Sequence, residues 1–235
     1  MKLTLLALVL TVGIGTTYAT TTDELMLTAD GLTATIQDNG TCSGTGCGSV
    51  LGDINPVAGT DTVTGSIGGW SISITSGTSF SPVDVPVGLD LTSLTATCTG
   101  GPCDTTPLEV KFSDINFSPA NPSFITKYSA TITGVGTTSE SAYFSNSNLQ
   151  FAEDTLIGTV GPFSDPGGHG TATGGVGSVA PYSLTLDQVF SDPTGSSVIF
   201  SVDGSVSSVP EPGAVILFGT VLVLTASKLR KRRAS

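Results

Sequence analysis

Hydrophobic residues in the middle of the chain recur at every second position, and this pattern constrains the fold more than any other feature. Side chains of a β-strand alternate between the two faces of a sheet, whereas a helix repeats its apolar positions every three or four residues. Helical spacing does not recur between residues 20 and 208, so we predict an all-β domain. The alternating runs are Leu25 and Leu27; Leu32, Ala34 and Ile36; Trp70, Ile72 and Ile74; Leu108, Val110 and Phe112; Phe124, Tyr128, Ala130 and Ile132; Tyr182, Leu184 and Leu186; and Val198, Phe200 and Val202.

Turn-forming residues separate these runs. Asp30-Gly31, between the first two runs, predicts a β-hairpin. Clusters of Gly, Pro, Asn and Asp follow at residues 52–56, 119–122 and 192–195. We count eight to ten candidate strands, at spacings that suit a two-sheet sandwich of Greek-key or jelly-roll type. Residues 20–208 are predicted to form this single domain, which is long enough to bury a core.

The domain is acidic and contains very few basic residues. Lys111 and Lys127 are its only lysines and it has no arginine, while the whole chain has 19 Asp and Glu and a formal net charge of −11. Proteins bind nucleic acid largely by neutralising phosphates with Lys and Arg, so nucleic acid is excluded as a partner. Acidic polysaccharide would also be repelled unless divalent cations bridged it. The many Thr, Ser and Gly residues are typical of an exported β-protein with a hydroxyl-covered surface.

The N-terminus has the pattern of an export signal. Lys2 supplies a positive charge, residues 3–14 are apolar, and Thr17-Tyr18-Ala19 places small residues at the two positions that signal peptidase recognises. We expect cleavage after Ala19, so residues 1–19 are left out of the fold prediction. The alternative is an uncleaved anchor, which the shortness of the apolar run disfavours.

The C-terminus combines a short motif, an apolar run and a basic end. Residues 209–212 are Val209-Pro210-Glu211-Pro212, and residues 213–227 are uncharged. As a helix, these fifteen residues reach about 22 Å, so snorkelling basic side chains would have to complete a span of roughly 30 Å. We predict one transmembrane helix over 213–227, with the basic end at 228–235 in the cytoplasm under the positive-inside rule. The basic residues are Lys228, Arg230, Lys231, Arg232 and Arg233.

This tail closely resembles a PEP-CTERM sorting signal, which is also catalogued as the ice-binding protein C-terminal domain without implying ice binding. The resemblance implies that an exosortase, an integral-membrane cysteine transpeptidase-like enzyme, recognises Pro210-Glu211-Pro212 and processes the protein next to it. It also implies a bacterium that makes exopolysaccharide and biofilm matrix. The protein would be anchored transiently in the inner membrane and would then reach the cell surface or the medium. A plain C-terminal membrane anchor is the alternative.

A weaker resemblance extends into the domain. Residues 51–56, the segment 65–75 around Trp70, residues 89–91 and residues 108–117 look like the ectodomains of many uncharacterised proteins with this tail. The similarity supports a β-rich domain and transfers no functional site.

Two cysteine pairs share one local pattern. Residues 41–47 and 97–103 both follow the form Thr-Cys-Ser/Thr-Gly-x-x-Cys. Four cysteines in an exported chain indicate two disulfides, and the close spacing favours local pairs. These are Cys42 with Cys47 and Cys98 with Cys103. Cross-pairing of the two loops and a four-thiolate zinc site are the alternatives.

The residues of common catalytic sites are missing or isolated. His169, the only histidine, lies among glycines in a stretch that predicts a mobile loop, and no Gly-x-Ser-x-Gly motif presents a nucleophile. One histidine cannot supply the usual ligands of a hydrolytic zinc site. We predict no enzyme activity and no cofactor, with calcium as the one candidate ion. Its candidate ligands are Glu153, Asp154, Asp187 and Asp192.

The predicted function is a structural or adhesive role in exopolysaccharide or biofilm, carried out by an exported, exosortase-sorted protein. The alternative is a carbohydrate-binding module or glycosidase on a jelly-roll scaffold. A glycosidase needs two carboxylates across the sugar, and Glu109, Glu140 and Glu153 are the candidates. Trp70 alternates with aliphatic residues and is predicted to pack in the core. The tyrosines left to line a sugar site are Tyr128, Tyr143 and Tyr182.

Overall fold

The computed structural model describes residues 22–48, 52–80, 87–99, 101, 103, 106–118, 123–175, 177–194 and 197–209. The predicted signal peptide, the Pro210-Glu211-Pro212 motif, the predicted transmembrane helix and the basic end lie outside these residues. Within the described ranges, no helix is both long enough and apolar enough to cross a bilayer.

The strands form where the sequence alternates, and also in places where it does not. The thirteen strands of the described residues are β1 (Glu24–Ala29), β2 (Leu32–Gln37), β3 (Cys42–Ser43), β4 (Thr60–Ile67), β5 (Trp70–Phe80), β6 (Gly88–Cys98), β7 (Leu108–Phe117), β8 (Ser123–Thr133), β9 (Thr137–Ser145), β10 (Thr155–Ser164), β11 (Gly167–Gly174), β12 (Tyr182–Ser191) and β13 (Val198–Val209). Every alternating run falls within one of them. The predicted number of eight to ten was too low, because β3 has only two residues and β11 has glycine at four of its eight positions.

The strands build two antiparallel sheets. The seven-stranded sheet has the order β10-β9-β12-β7-β1-β2-β3, and the six-stranded sheet has the order β11-β8-β13-β6-β5-β4. The successive strands β6, β7, β8 and β9 alternate between the two sheets, and so do the successive strands β10, β11, β12 and β13. The prediction of an all-β, two-sheet fold is confirmed.

Aromatic side chains join the inner faces of the two sheets. Phe190 of the seven-stranded sheet and Phe200 of the six-stranded sheet have ring centroids 5.3 Å apart, and those of Phe124 and Phe144 are 6.2 Å apart. Trp70 is fully buried, and its Nε1–H donates to the carbonyl of Thr106 at 3.1 Å. The predicted core role of Trp70 is therefore confirmed. Each large side chain buried in this way contributes about 1.5–3 kcal/mol.

The predicted hairpin and both predicted disulfides are present. Asp30 and Gly31 have φ values of 51° and 71°, as a two-residue hairpin loop requires. Cys42–Cys47 and Cys98–Cys103 are bonded, with Cα–Cα distances of 5.6 and 5.8 Å. Because the disulfides use all four thiols, cross-pairing and a four-thiolate zinc site are ruled out. Two disulfides are typical of a protein that folds outside the reducing cytoplasm.

His169 lies in a strand, and the prediction of a mobile loop was wrong. β11 pairs with β8 along its whole length, from Gly167 opposite Thr131 to Gly174 opposite Phe124. The neighbouring glycines allow close packing on β10: a Cβ at Gly168 would lie 2.6 Å from the ring of Phe163, which is too close for a side chain. These glycines serve strand packing, so their abundance misled the sequence interpretation.

Candidate functional site

The three candidate glutamates lie on opposite sides of the seven-stranded sheet. Glu140 of β9 points between the sheets and is fully buried. Glu109 of β7 and Glu153 of the β9–β10 loop lie on the outer side, where both bind Lys111 Nζ, at 3.1 and 2.7 Å. The structure thus brings Glu109 and Glu153 together and separates Glu140 from them.

Glu140 is a buried acid with two hydrogen-bond donors. Thr126 Oγ1 donates to it at 2.8 Å and Gln188 Nε2 at 2.9 Å. Burial raises the pKa of Glu140 to about 8, although both of these hydrogen bonds act to lower it. A catalytic carboxyl has to touch its substrate, and Glu140 has no exposed surface with which to do so.

The outer side of the seven-stranded sheet is partly covered by the β9–β10 loop. Phe151 N–H donates to Ser113 Oγ at 3.0 Å, and Thr185 Oγ1 donates to the carbonyl of Ala152 at 3.2 Å. Asp187 lies next to the Lys111 ion pairs, and burial, followed by repulsion from Glu109, raises its pKa to about 7. On this side, therefore, the candidate glutamates are engaged in ion pairs with Lys111.

The tyrosines do not form an exposed aromatic surface. Tyr182 is fully buried and Tyr128 is 2% exposed. Tyr128 Oη is hydrogen-bonded to Thr138 Oγ1 at 2.5 Å, so its ring belongs to the core. Only Tyr143 is partly accessible, on the outer side of the seven-stranded sheet.

An open groove crosses the outer side of the six-stranded sheet. It consists of two adjoining depressions of about 280 and 350 Å³, which share Ser129, His169 and Asp203. The first depression also has Asp90, Lys127 and Thr171 in its lining. β6, β8, β11 and β13 supply these residues.

Strand pairing arranges the groove residues in two adjacent rows. In one row, His169 is paired with Ser129, and Ser129 with Asp203. In the other, Lys127 lies between Thr171 and Ser205, and Ser205 pairs with Asp90. Directly opposed residues in antiparallel strands have Cβ atoms about 4.5–5.5 Å apart, so each row presents its polar groups side by side.

A bulge in β6 holds Asp203 in place. Between the pairs Val202–Leu94 and Gly204–Leu91, β6 has one residue more than β13. Ser93, with φ of 55°, turns its N–H to Asp203 Oδ1 at 2.7 Å. Burial and repulsion from Asp203 raise the pKa of nearby Asp90. The groove therefore combines two carboxylates with one lysine, one histidine and several hydroxyl groups.

Sequence reasoning missed this groove. Its residues are ordinary polar positions of alternating strands, and they meet only through the pairing of β11, β8, β13 and β6. The spacing of these residues along the chain carries no sign of that pairing.

The structure does not gather the acidic residues predicted as calcium ligands. Glu153 binds Lys111, Asp154 accepts hydrogen bonds from Ser145 and Ser147, and Asp192 accepts one from Thr194 N–H at 3.0 Å. Within the described part of the chain, the one group of three converging carboxylates lies elsewhere, at Asp38, Asp53 and Asp61.

No protein-family model and no curated protein matches the chain. Among solved structures, it is similar to the enzymatically active domain of bacteriophage CBA120 tailspike protein 4, with 15% identity and a TM-score of 0.33 over 60% of this chain and 19% of that one. A Clostridium thermocellum endo-1,4-β-D-xylanase 10B structure gives 10% identity and a TM-score of 0.30 over 61% and 26%. The N-terminal cellulose-binding domain of Cellulomonas fimi β-1,4-glucanase C gives 15% and 0.32 over 61% and 90%. This chain thus spans about a fifth of the length of the tailspike structure and about a quarter of the xylanase structure. All three TM-scores are low, and these similarities support no conclusion about function.

Proposed function

We propose that this protein is an exported, non-enzymatic component of the bacterial cell surface or extracellular matrix. In this proposal it binds a neutral, hydroxyl-rich polymer, such as an exopolysaccharide, in the groove of the six-stranded sheet. The observation that carries the proposal is the two-row arrangement of Lys127, Ser129, His169, Asp90 and Asp203 on an open sheet face. On the other sheet, Lys111 is already paired with Glu109 and Glu153.

The chemistry of the groove suits sugar hydroxyls. Carboxylates accept hydrogen bonds from hydroxyl groups, and lysine donates to them. A neutral polymer is favoured, since an acidic one would be repelled by the strongly negative domain. The aromatic residue in the groove lining, Tyr128, has its ring in the core, so hydrogen bonds would supply most of the affinity. A single site of this kind binds weakly, and several copies in a matrix would gain strength through multivalency.

The sorting part of the proposal rests on the sequence. The export signal, the Val209-Pro210-Glu211-Pro212 motif and the basic end support processing by signal peptidase and an exosortase. The repeated passage of the chain between sheets supports a sandwich of jelly-roll type. β13 ends at Val209, the first residue of the motif.

A binding assay with matched variants tests the groove. The protein is applied to an array of neutral and acidic oligosaccharides, and a neutral polysaccharide that binds is then used for affinity electrophoresis. Asp203→Asn and Lys127→Gln are each expected to weaken binding about tenfold, because each loses a charge-assisted hydrogen bond. Asp30→Asn, the same change in the exposed β1–β2 hairpin, should bind like the unchanged protein. Equal affinities for all four proteins would refute the assignment of the groove.

Hydrolysis of the polymer is the second candidate function. Burial and repulsion from Asp203 raise the pKa of Asp90, and a carboxyl with a raised pKa beside a second carboxylate is typical of a general acid. Release of reducing sugar that is abolished in Asp90→Asn, but kept in Asp30→Asn, would favour hydrolysis over simple binding.

A further inference from the structure

Three carboxylates converge at the edge of the sandwich opposite the groove. Asp38 follows β2, Asp53 lies in the segment before β4, and Asp61 is the second residue of β4. One oxygen atom from each of the three lies within 4.8 Å of the others. β4 and β11 are at opposite edges of the six-stranded sheet, so this cluster is separate from the groove.

Backbone N–H groups hold two of these side chains in position. Asp53 Oδ1 accepts from Asn55 at 2.9 Å and from Thr62 at 2.8 Å, and its Oδ2 accepts from Asn39 at 3.0 Å. Asp38 Oδ2 accepts from Gly59 N–H at 2.9 Å. Both carboxylates are therefore fixed by the loops around them.

The state of Asp61 is a second, independent indication that a cation binds at this cluster. Its side chain is fully buried, and neither of its carboxylate oxygens has a hydrogen-bond partner. Burying a polar group without a hydrogen-bond partner is unfavourable, and it is more unfavourable if the group is charged. Burial, followed by repulsion from Asp23, Asp53 and Asp38, raises the pKa of Asp61 to about 9. The side chain is thus buried without any group that would stabilise its charge.

Both lysines of the domain lie away from this cluster or are already paired. Its lysines are Lys111 and Lys127. Lys111 is bound to Glu109 and Glu153, and Lys127 lines the groove. Neither lysine is therefore available to neutralise the cluster.

We propose that Asp38, Asp53 and Asp61 bind a calcium ion that ties residues 52–59 to β2 and β4. The ligand atoms are all oxygens, which hard divalent cations prefer. Ligands on opposite sides of Ca²⁺, at about 2.3–2.6 Å each, are separated by roughly 4.6–5.2 Å, and the oxygens of this cluster fall within such a sphere. Mg²⁺ requires shorter distances and near-ideal octahedral geometry, so calcium suits ligands from irregular loops better.

Thermal unfolding with and without metal tests the site. The full chain is purified, stripped with EDTA, and titrated with CaCl₂ or MgCl₂, while its Tm is followed by circular dichroism and its binding heat by calorimetry. Saturating calcium is expected to raise Tm by about 5 °C or more, and magnesium by much less. An equal rise with both ions would overturn the choice of calcium, and no rise and no heat with either would overturn the site.

Asp61→Asn separates a metal site from a purely structural cluster. The amide is nearly the same size as the carboxyl and avoids the cost of burying or protonating an acid, so the metal-free variant should be at least as stable as the metal-free parent protein. It should also lose the calcium-dependent rise in Tm, while Asp30→Asn keeps it. A full calcium response in Asp61→Asn would overturn the proposal.

Asp38→Asn provides a second test if Asp61→Asn does not fold. Asp38 is half-buried and lies in a turn, and its variant should weaken calcium binding about tenfold or more, as expected when one charged ligand is lost. Unchanged affinity would count against the site. The cluster and the groove lie at opposite edges of the six-stranded sheet. Testing the groove variants and the cluster variants in both assays therefore distinguishes loss of glycan binding from loss of calcium binding.

Discussion

At the residue scale, a small polar cluster inside the core depends on one glycine. Thr126 and Gln188 both donate hydrogen bonds to Glu140 between the sheets. Gly204 of β13 lies against this group, and a Cβ at that position would overlap Glu140 Oε2 and Gln188 Nε2. The absence of a side chain at residue 204 is what lets two polar groups fit into an otherwise apolar interior.

We expect Gly204→Ala to destabilise the protein by about 2–4 kcal/mol, since overpacking forces buried neighbours to move. Gly48→Ala is the matched control, because a Cβ at Gly48 would meet nothing within 4 Å. Urea unfolding of both variants measures the difference. Equal stability of the two would contradict the close approach at Gly204.

The pKa of Glu140 makes stability depend on pH. Its pKa rises from 4.5 to about 8 on folding, so the folded protein keeps a proton that the unfolded chain releases. The free energy of unfolding should therefore fall as pH rises from about 4.5 to 8. Glu140→Gln cannot titrate, and between pH 5 and 8 it should lose roughly 3 kcal/mol less stability than the parent protein. Chemical denaturation at several pH values tests this, and parallel pH profiles would show that Glu140 does not titrate as described.

At the element scale, β11 shows where sequence patterns stop being informative. β1, β2, β5, β7, β8, β12 and β13 could be predicted, because each has apolar residues at alternate positions. β11 has glycine at four of eight positions and is specified by its pairing with β8 and its packing on β10. The groove and the Asp38, Asp53 and Asp61 cluster could not be predicted for a related reason. Strand register and loop closure bring their residues together, and neither is encoded in local spacing.

Hydrogen exchange distinguishes a paired β11 from a mobile loop. Amides of residues 167–174 that bond to β8 should exchange slowly, because pairing protects them. Gly170→Val should speed their exchange, since a Cβ at residue 170 would already lie 2.8 Å from Val160 Cγ1. Thr171→Val, an exposed change on the same strand, should leave protection unchanged. Fast exchange of all these amides in the parent protein would argue against a stable β11.

At the scale of the whole molecule, we expect proteolytic cleavage of the chain on both sides of the sandwich domain. Intact-mass spectrometry of protein from its own host should find a chain without residues 1–19 and without the residues beyond the Pro210-Glu211-Pro212 region. Reduction should add about 4 Da, two hydrogens for each disulfide. A full-length tail on the mature protein would reduce the sorting motif to an ordinary anchor.

The position of β13 has a mechanical consequence. This strand is central in the six-stranded sheet, paired with β8 on one side and β6 on the other up to its last residues. A force applied at Val209 along the axis of β13 would load two ladders of hydrogen bonds in shear at once. A terminal edge strand would instead peel away one bond at a time. A protein held at this end while a polymer pulls on its groove would resist unfolding through its best-supported strand.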